Sequence, residues 1–376
     1  MNVIAAQNTF NVLDFGAVGN GNSDDSMAFT KAWTETCNAN AETPTMIIPI
    51  GKTFLVAPVN FSGPCKSYIY VQLSGVIKAP DGTGEWTNGT WRWLQFDNIT
   101  GLNISGSGQI DGNGQKWWDK SCKYNPAKAI SFKNCKNVSM SKIYVVQSPQ
   151  LHVLVFGSQD VHFQSLIIKS PEASPNTDGI HISHSDHVTV QASVIGTGDD
   201  CVSIGDHSTN IIVAYTNCGP GHGISIGSLG KDGNVVHVEN ITVKHINFYK
   251  STNGGRIKTW QRGKGEVRHV EFSYLNFTEV ENPIIIDQHY CDIRGQCAKT
   301  ETGVHISDVL YSNAFGTSAT DVAINLNCSE NVACTDIRLD NVQLESADKG
   351  KQVVSSCNNA FGQAKGIVQP KSCLLP

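Results

Sequence analysis

The chain has 376 residues, of which 40% are hydrophobic and only 16% charged, with a formal net charge of −5 and 35 glycines. That is enough apolar material for a large core, in a turn-rich and strand-rich composition. It offers no basic footprint for nucleic acid, and no apolar run reaches the roughly 18 residues that a membrane helix needs.

In chain order, Met1 to Phe10 lacks the basic and apolar regions of a full signal peptide, so a leader is expected to have been removed already. Ser23-Asp24-Asp25, followed by Phe29, Ala32 and Trp33 at helical spacing, predicts an N-capped amphipathic helix. It would serve as an N-terminal cap over about residues 8–40, because an open coil end exposes strand edges and core. From about Asn98 to Val342 one phrase recurs: an alternating apolar strand, a polar turn with Asn, Asp or Gly, and another alternating strand. Examples are Ala129 to Phe132 with Val138 to Met140, Val153 to Val155 with Val161 to Phe163, and Val236 to Val238 with Ile241 to Val243. Period two within each run predicts strands, and recurrence at roughly 20–35 residues predicts stacked coils. No helical crossovers are visible between these strands, which excludes a doubly wound α/β sheet. With no linker in view, residues 1–376 read as a single domain, closed by a disulfide-stapled tail at about 350–376.

Twelve cysteines without zinc-site spacing favour disulfides, and nearest-neighbour pairing predicts Cys201/Cys218, Cys291/Cys297, Cys328/Cys334 and Cys357/Cys373. Eight glycosylation acceptors, Asn60, Asn88, Asn98, Asn103, Asn137, Asn240, Asn276 and Asn327, add to the expectation of a secreted, extracellular protein.

The chemistry-bearing motifs are Asn176-Thr177-Asp178-Gly179, Gly198-Asp199-Asp200, Gly221-His222-Gly223 and Arg256-Ile257-Lys258. Asp178, Asp200 and His222 recur at 22 residues, each two positions ahead of an apolar strand. If 22 residues is one circuit, they stand in a column with steps of roughly 4.8 Å. Clustered carboxyls oppose one another's ionisation, and an inverting glycosidase needs one protonated carboxyl and one carboxylate that activates water. Arg256 and Lys258 fall on one strand face, with Ile257 turned to the core, and suit a carboxylate-bearing ligand. His162, His237 and His245 alternate with apolar residues and read as face-filling.

The four motifs in this order resemble the signature of the polygalacturonases, family 28 of the glycoside hydrolases. Phe10-Asn11-Val12-Leu13-Asp14-Phe15-Gly16-Ala17 is similar to the opening of the plant members. The resemblance implies an all-β, single-stranded right-handed parallel β-helix, a pectin-lyase-like solenoid. It further implies inverting hydrolysis of α-1,4-galacturonosyl linkages in de-esterified pectin during cell-wall remodelling. By the same carry-over Asp199 is the general acid, Asp178 and Asp200 hold and deprotonate the water, and His222 supports them. Arg256 and Lys258 clamp the substrate carboxylate, with Asn176 and Tyr290 as further contacts.

The expected mode is endo, with exo action the alternative. Rhamnogalacturonan hydrolysis, a calcium-dependent pectate lyase and a catalytically silent sugar-binding β-helix are the other readings. No metal or cofactor is implied; the partners are polygalacturonate and, as a candidate, proteinaceous polygalacturonase inhibitors, for a monomeric enzyme.

Overall fold

The structure, a computed structural model, describes residues 8–82, 92–119, 128–291, 297 and 300–376. Its strands pair in parallel throughout the described register, and the architecture is the expected right-handed parallel β-helix. The chain divides into two compact units, Met1–Ile180 and His181–Pro376.

In the first unit each coil contributes three short strands, one to each of three parallel ladders. Thr100–Gly106, Gln109–Asp111 and Lys128–Lys133 form one such coil, and Lys136–Ser141, Tyr144–Val146 and Val153–Phe156 the next. Equivalent residues therefore stack: Phe61 pairs with Phe96 and Phe96 with Phe132 in the ladder register. Their rings lie 4.9 and 5.5 Å apart, so side-chain burial repeats with the backbone. The amphipathic helix Ser26–Asn38 covers this stack with Trp33, whose ring packs 5.3 Å from Phe61 and 5.6 Å from Phe96. The helix starts one residue after Asp25, but that carboxylate makes no cap bond. It accepts instead from the backbone N–H groups of Val18 and Gly19, while Asp24 accepts from Ser26 N–H at 3.0 Å. A one-turn helix, Gln115–Trp118, interrupts the expected strand-only pattern.

The second unit uses longer strands. Ser208–Cys218, Val235–Tyr249, Lys264–Val280, His305–Ser318 and Cys334–Ser346 each run across two faces. The polar turn anticipated between Val236–Val238 and Ile241–Val243 is one residue, Asn240, at φ 58° within a continuous strand. The same left-handed corner recurs at Asn210, His269, Asp308 and Asp336, drawn from the residue types that tolerate positive φ. Inside, Val188, Ile211, Ile241, Val270, Val309 and Ile337 form an unbroken aliphatic column, each at most 2% exposed.

All four expected disulfides are present: Cys201–Cys218, Cys291–Cys297, Cys328–Cys334 and Cys357–Cys373. Cys297 pairs with the cysteine that directly follows the strand Asn282–Tyr290, and Cys334 opens a strand, so these two short links bracket strand ends. Cys373 staples the tail to Cys357 as expected, but the tail is more regular than anticipated. Past residue 350, Val354–Asn358 and Ala360–Gln369 add a further coil paired in parallel, with register shifts, to the one before. Cys373 therefore secures the end of that coil to its own strand residue Cys357, with the Cα atoms 5.5 Å apart. Cys297 and Cys373 are half-buried and, being oxidised, offer no thiol for chemistry; their part is structural. A fifth disulfide, Cys37–Cys65, ties the capping helix to the first coils and was not anticipated. Cys135 is a buried free thiol, against the expectation that the cysteines pair. Asn60, Asn98, Asn137, Asn240 and Asn276 are exposed, Asn103 and Asn327 half-buried, and Asn88 lies outside the described residues.

Candidate active site

The second unit brings Asp199, Asp200, His222, Arg256, Lys258 and Tyr290 together. The strand Val202–Ile204 pairs with Ile224–Leu229, Val202 opposite Ile224. Continued two residues back, that register sets His222 beside the acid pair, as the 22-residue interval anticipates. The His222 N–H donates to Asp199 O at 2.8 Å. Glycines on both sides of His222 are a steric requirement. A Cβ at Gly223, where φ is +85°, would meet Asn253 O at 2.1 Å, and one at Gly221, φ +145°, would meet Asp199 O at 2.7 Å. The Cys201–Cys218 disulfide anchors the chain immediately after the acid pair.

Two adjacent aspartates face different surroundings. Asp199 Oδ1 accepts from His222 Nδ1 at 3.0 Å and from Asp200 N–H at 2.8 Å. Asp200 is 1% exposed and accepts three side-chain hydrogen bonds. Its Oδ1 accepts from Ser225 Oγ at 2.7 Å and Arg256 Nη2 at 2.6 Å, and its Oδ2 from Lys258 Nζ at 2.8 Å. Burial alone would raise the Asp200 pKa, but the charges of Lys258 and Arg256 outweigh it and hold the carboxyl down at about 2. Its contribution to folding is therefore present above the ordinary aspartate range and lost as pH falls through about 2.

His222 moves the other way. The hydrogen bond to Asp199 is the largest cause, opposed by partial burial and helped by the charges of Asp199 and Asp200. Because the folded-state pKa is raised, the stabilisation is complete below about pH 6.5 and fades as pH rises through the folded value. Replacing His222 by Ala is thus expected to lower the thermal midpoint more at about pH 5.5 than at about pH 8.5, relative to the native chain at each pH. Equal losses at both, read by circular dichroism melts, would contradict this coupling.

Arg256 and Lys258 sit on the strand Asn253–Trp260 with Ile257 fully buried between them, as alternation anticipates. Both cations also grip Asp200, a contact that the expected part as a clamp for a substrate carboxylate did not include. Two cations against one carboxylate leave this part of the site net positive. Lys258 Nζ also lies 5.4 Å over the Tyr290 ring, which packs edge-on against Trp260 at 5.5 Å. Sequence reasoning missed Ser225, which accepts from Arg256 Nε at 2.8 Å while donating to Asp200. The available signal was the same interval, since Ser203, Ser225 and Arg256 are register partners.

Asp178 and Asn176 close the first unit. The Asp178 carbonyl accepts from the His152 backbone N–H at 2.9 Å and bonds His152 Nδ1 at 3.0 Å. Asn176 is half-buried at φ 54°. His152 is wholly buried, which pushes its pKa down to about 4 and keeps the ring neutral.

Asp199, Asp200 and His222 each offer a ligand atom within 4.8 Å of the others, the geometry a metal ion would need. The donor set does not fit one: both Asp200 oxygens are engaged by cations that would repel a divalent ion.

The chain is similar to a polygalacturonase of Persea americana, 42% identical over 93% of this chain and 76% of that protein. It is also similar to polygalacturonase-2 of Solanum lycopersicum, 39% identical over 95% and 79%. Among solved structures, the endo-xylogalacturonan hydrolase of Aspergillus tubingensis superposes with a TM-score of 0.81 at 25% identity, covering 95% of this chain and all of that one. The exopolygalacturonase of Thermotoga maritima gives 0.80 at 21% identity over 95% and 90%, a likeness of fold. Residues 37–368 match the family described as Glycosyl hydrolases family 28, which, with the acid pair and its cationic partners in the family's order, means that this chain belongs to that family.

Proposed function

We propose that the chain is a polygalacturonase that hydrolyses α-1,4-galacturonosyl linkages of de-esterified homogalacturonan by inversion, endo-acting, outside the cell in wall pectin remodelling. The observation that carries this reading is the division of labour between adjacent aspartates, Asp199 on His222 and Asp200 between Arg256 and Lys258. It is joined by the polygalacturonase identity of relatives near 40%. Asp199 donates the proton to the leaving oxygen. His222 orients Asp199 through Oδ1, so the transferable proton belongs on Oδ2.

Asp200 is held too acidic to be an efficient proton acceptor near its working pH, so its part is to orient the attacking water as a fixed anion. Asp178 takes the proton from that water; its inclusion rests on the sequence motif. The residual positive charge at Arg256 and Lys258 suits a uronate carboxylate better than a neutral sugar, with Tyr290 and Asn176 as further contacts. A single catalytic domain, a monomeric state and occupied glycosylation sites belong to the same proposal. Five disulfides among the described residues support an extracellular setting.

Timed sizing of products from polygalacturonate tests it. Mixed saturated oligomers, formed with chelator present and with inverted anomeric configuration, are the expected result. Monomer alone would replace endo by exo action. Unsaturated, ultraviolet-absorbing ends lost on chelation would establish a lyase, and no cleavage despite binding would leave only a sugar-binding role.

A further inference from the structure

A second cluster of ligand-type side chains lies in the same unit at the far end of the strands that carry the acid pair. Asp199 and Asp200 precede the strand Val202–Ile204, whereas Asp206 and His207 follow it. His184 follows the strand Ile180–Ser183 of the preceding coil. His184, Asp206 and His207 each present one ligand atom within 4.8 Å of the other two. The imidazoles stack with centroids 5.1 Å apart and planes 15° from parallel. Both histidines occupy left-handed corners, at φ 52° and 53°, so the backbone and not a chance rotamer brings them side by side.

We propose that these three residues bind a divalent transition-metal ion of zinc or copper type, which pins two successive coils together. The donor set, two imidazoles and one carboxylate, matches borderline ions and leaves a fourth position for water, consistent with an exposed site. A supporting shell is already built. His207 Nδ1 and Asp206 Oδ1 already stand 2.9 Å apart, so the ion would take the place of the proton between them. His184 Nδ1 is engaged by Ser183 Oγ at 2.8 Å, which orients the second ring. Asp206 is held by the backbone N–H groups of His207 and His237 at 2.7 and 3.0 Å, and its own carbonyl accepts from His184 N–H at 2.8 Å. Two coils are thus already hydrogen-bonded at the point where the ion would join them. Ligand atoms around tetrahedral zinc stand about 3.3 Å apart, from bonds of about 2.0–2.1 Å.

The test uses untagged full-length protein, stripped with chelator and dialysed, then titrated with zinc chloride in a calorimeter and melted with and without the ion. One zinc per chain and a raised thermal midpoint are expected, with calcium giving neither. His184→Asn and His207→Asn keep a residue that tolerates the left-handed corner while removing the imidazole. Each should weaken zinc at least about 10-fold and abolish the thermal shift, while hydrolysis of polygalacturonate stays at the native rate. Absence of saturable zinc binding, undiminished binding in both variants, or equal stabilisation by calcium would each overturn the site. Because the readouts are binding and melting, they are independent of the proposed hydrolysis.

Discussion

Asp200→Asn is expected to unfold at markedly lower denaturant and to retain almost no activity. Asparagine is nearly isosteric, so the loss would arise from charge. The Arg256 and Lys258 side chains are 13% and 9% exposed, and without the Asp200 anion two poorly hydrated cations face each other across a neutral amide. The drop of the Asp200 carboxyl to about 2 corresponds to a preference for the ionised form on the order of 2 kcal/mol. Breaking a buried pair from one side typically costs about 3–5 kcal/mol, because the orphaned charge remains. The larger figure is the relevant one here, since two partners are orphaned. Urea denaturation measures it. Adding Lys258→Met in the Asp200→Asn background should return part of the stability, a coupling that a double-mutant cycle reads directly. A single variant with the native midpoint would show that the ion pairs contribute nothing.

Asp199→Asn should behave differently, with kcat reduced by roughly 10²–10⁴-fold and stability nearly intact. The asparagine carbonyl oxygen can still accept from Asp200 N–H and His222 Nδ1–H, so the local hydrogen bonds survive. What disappears is the transferable proton. The substitution also removes the negative charge of Asp199, which helps to raise the His222 pKa, so His222 should titrate lower, visible as a shift in its imidazole proton resonances. Near-native turnover would end the assignment of Asp199 as acid. A collapse in stability matching that of Asp200→Asn would erase the distinction between the two carboxyls.

Much of this was legible because a coiled sheet writes geometry into interval. Asp200 and His222, 22 residues apart, are neighbours through the Val202–Ile224 register, and alternation placed Ile257 inward with Arg256 and Lys258 beside it. Less legible was what the outward side chains hold. Nothing in Arg256-Ile257-Lys258 says that both cations converge on an aspartate 56 and 58 residues earlier. Ser225 escaped because serine between isoleucines reads as ordinary strand. The corner at Asn240 looked like a multi-residue turn because one left-handed residue does the work of several. Short cysteine intervals located the partners of Cys297 and Cys373, but not the paired strands that precede Cys373, whose exposed, polar faces lack a strong apolar alternation. Cys37 and Cys65 were not paired because 28 residues separate them, and the helix that carries Cys37 decides the match.

The aliphatic column from Val188 to Ile337 bears on how such a molecule can change over generations. Each coil is indexed to its neighbours by side chains that point to the axis, and the connecting segments hang outside that index. A segment can lengthen or shorten while the strands it joins keep their rung. The segments around the acid pair can therefore be resculpted with no slippage between Asp200 and His222. Inheritance of the chemistry and novelty of its reach are physically separable in this architecture.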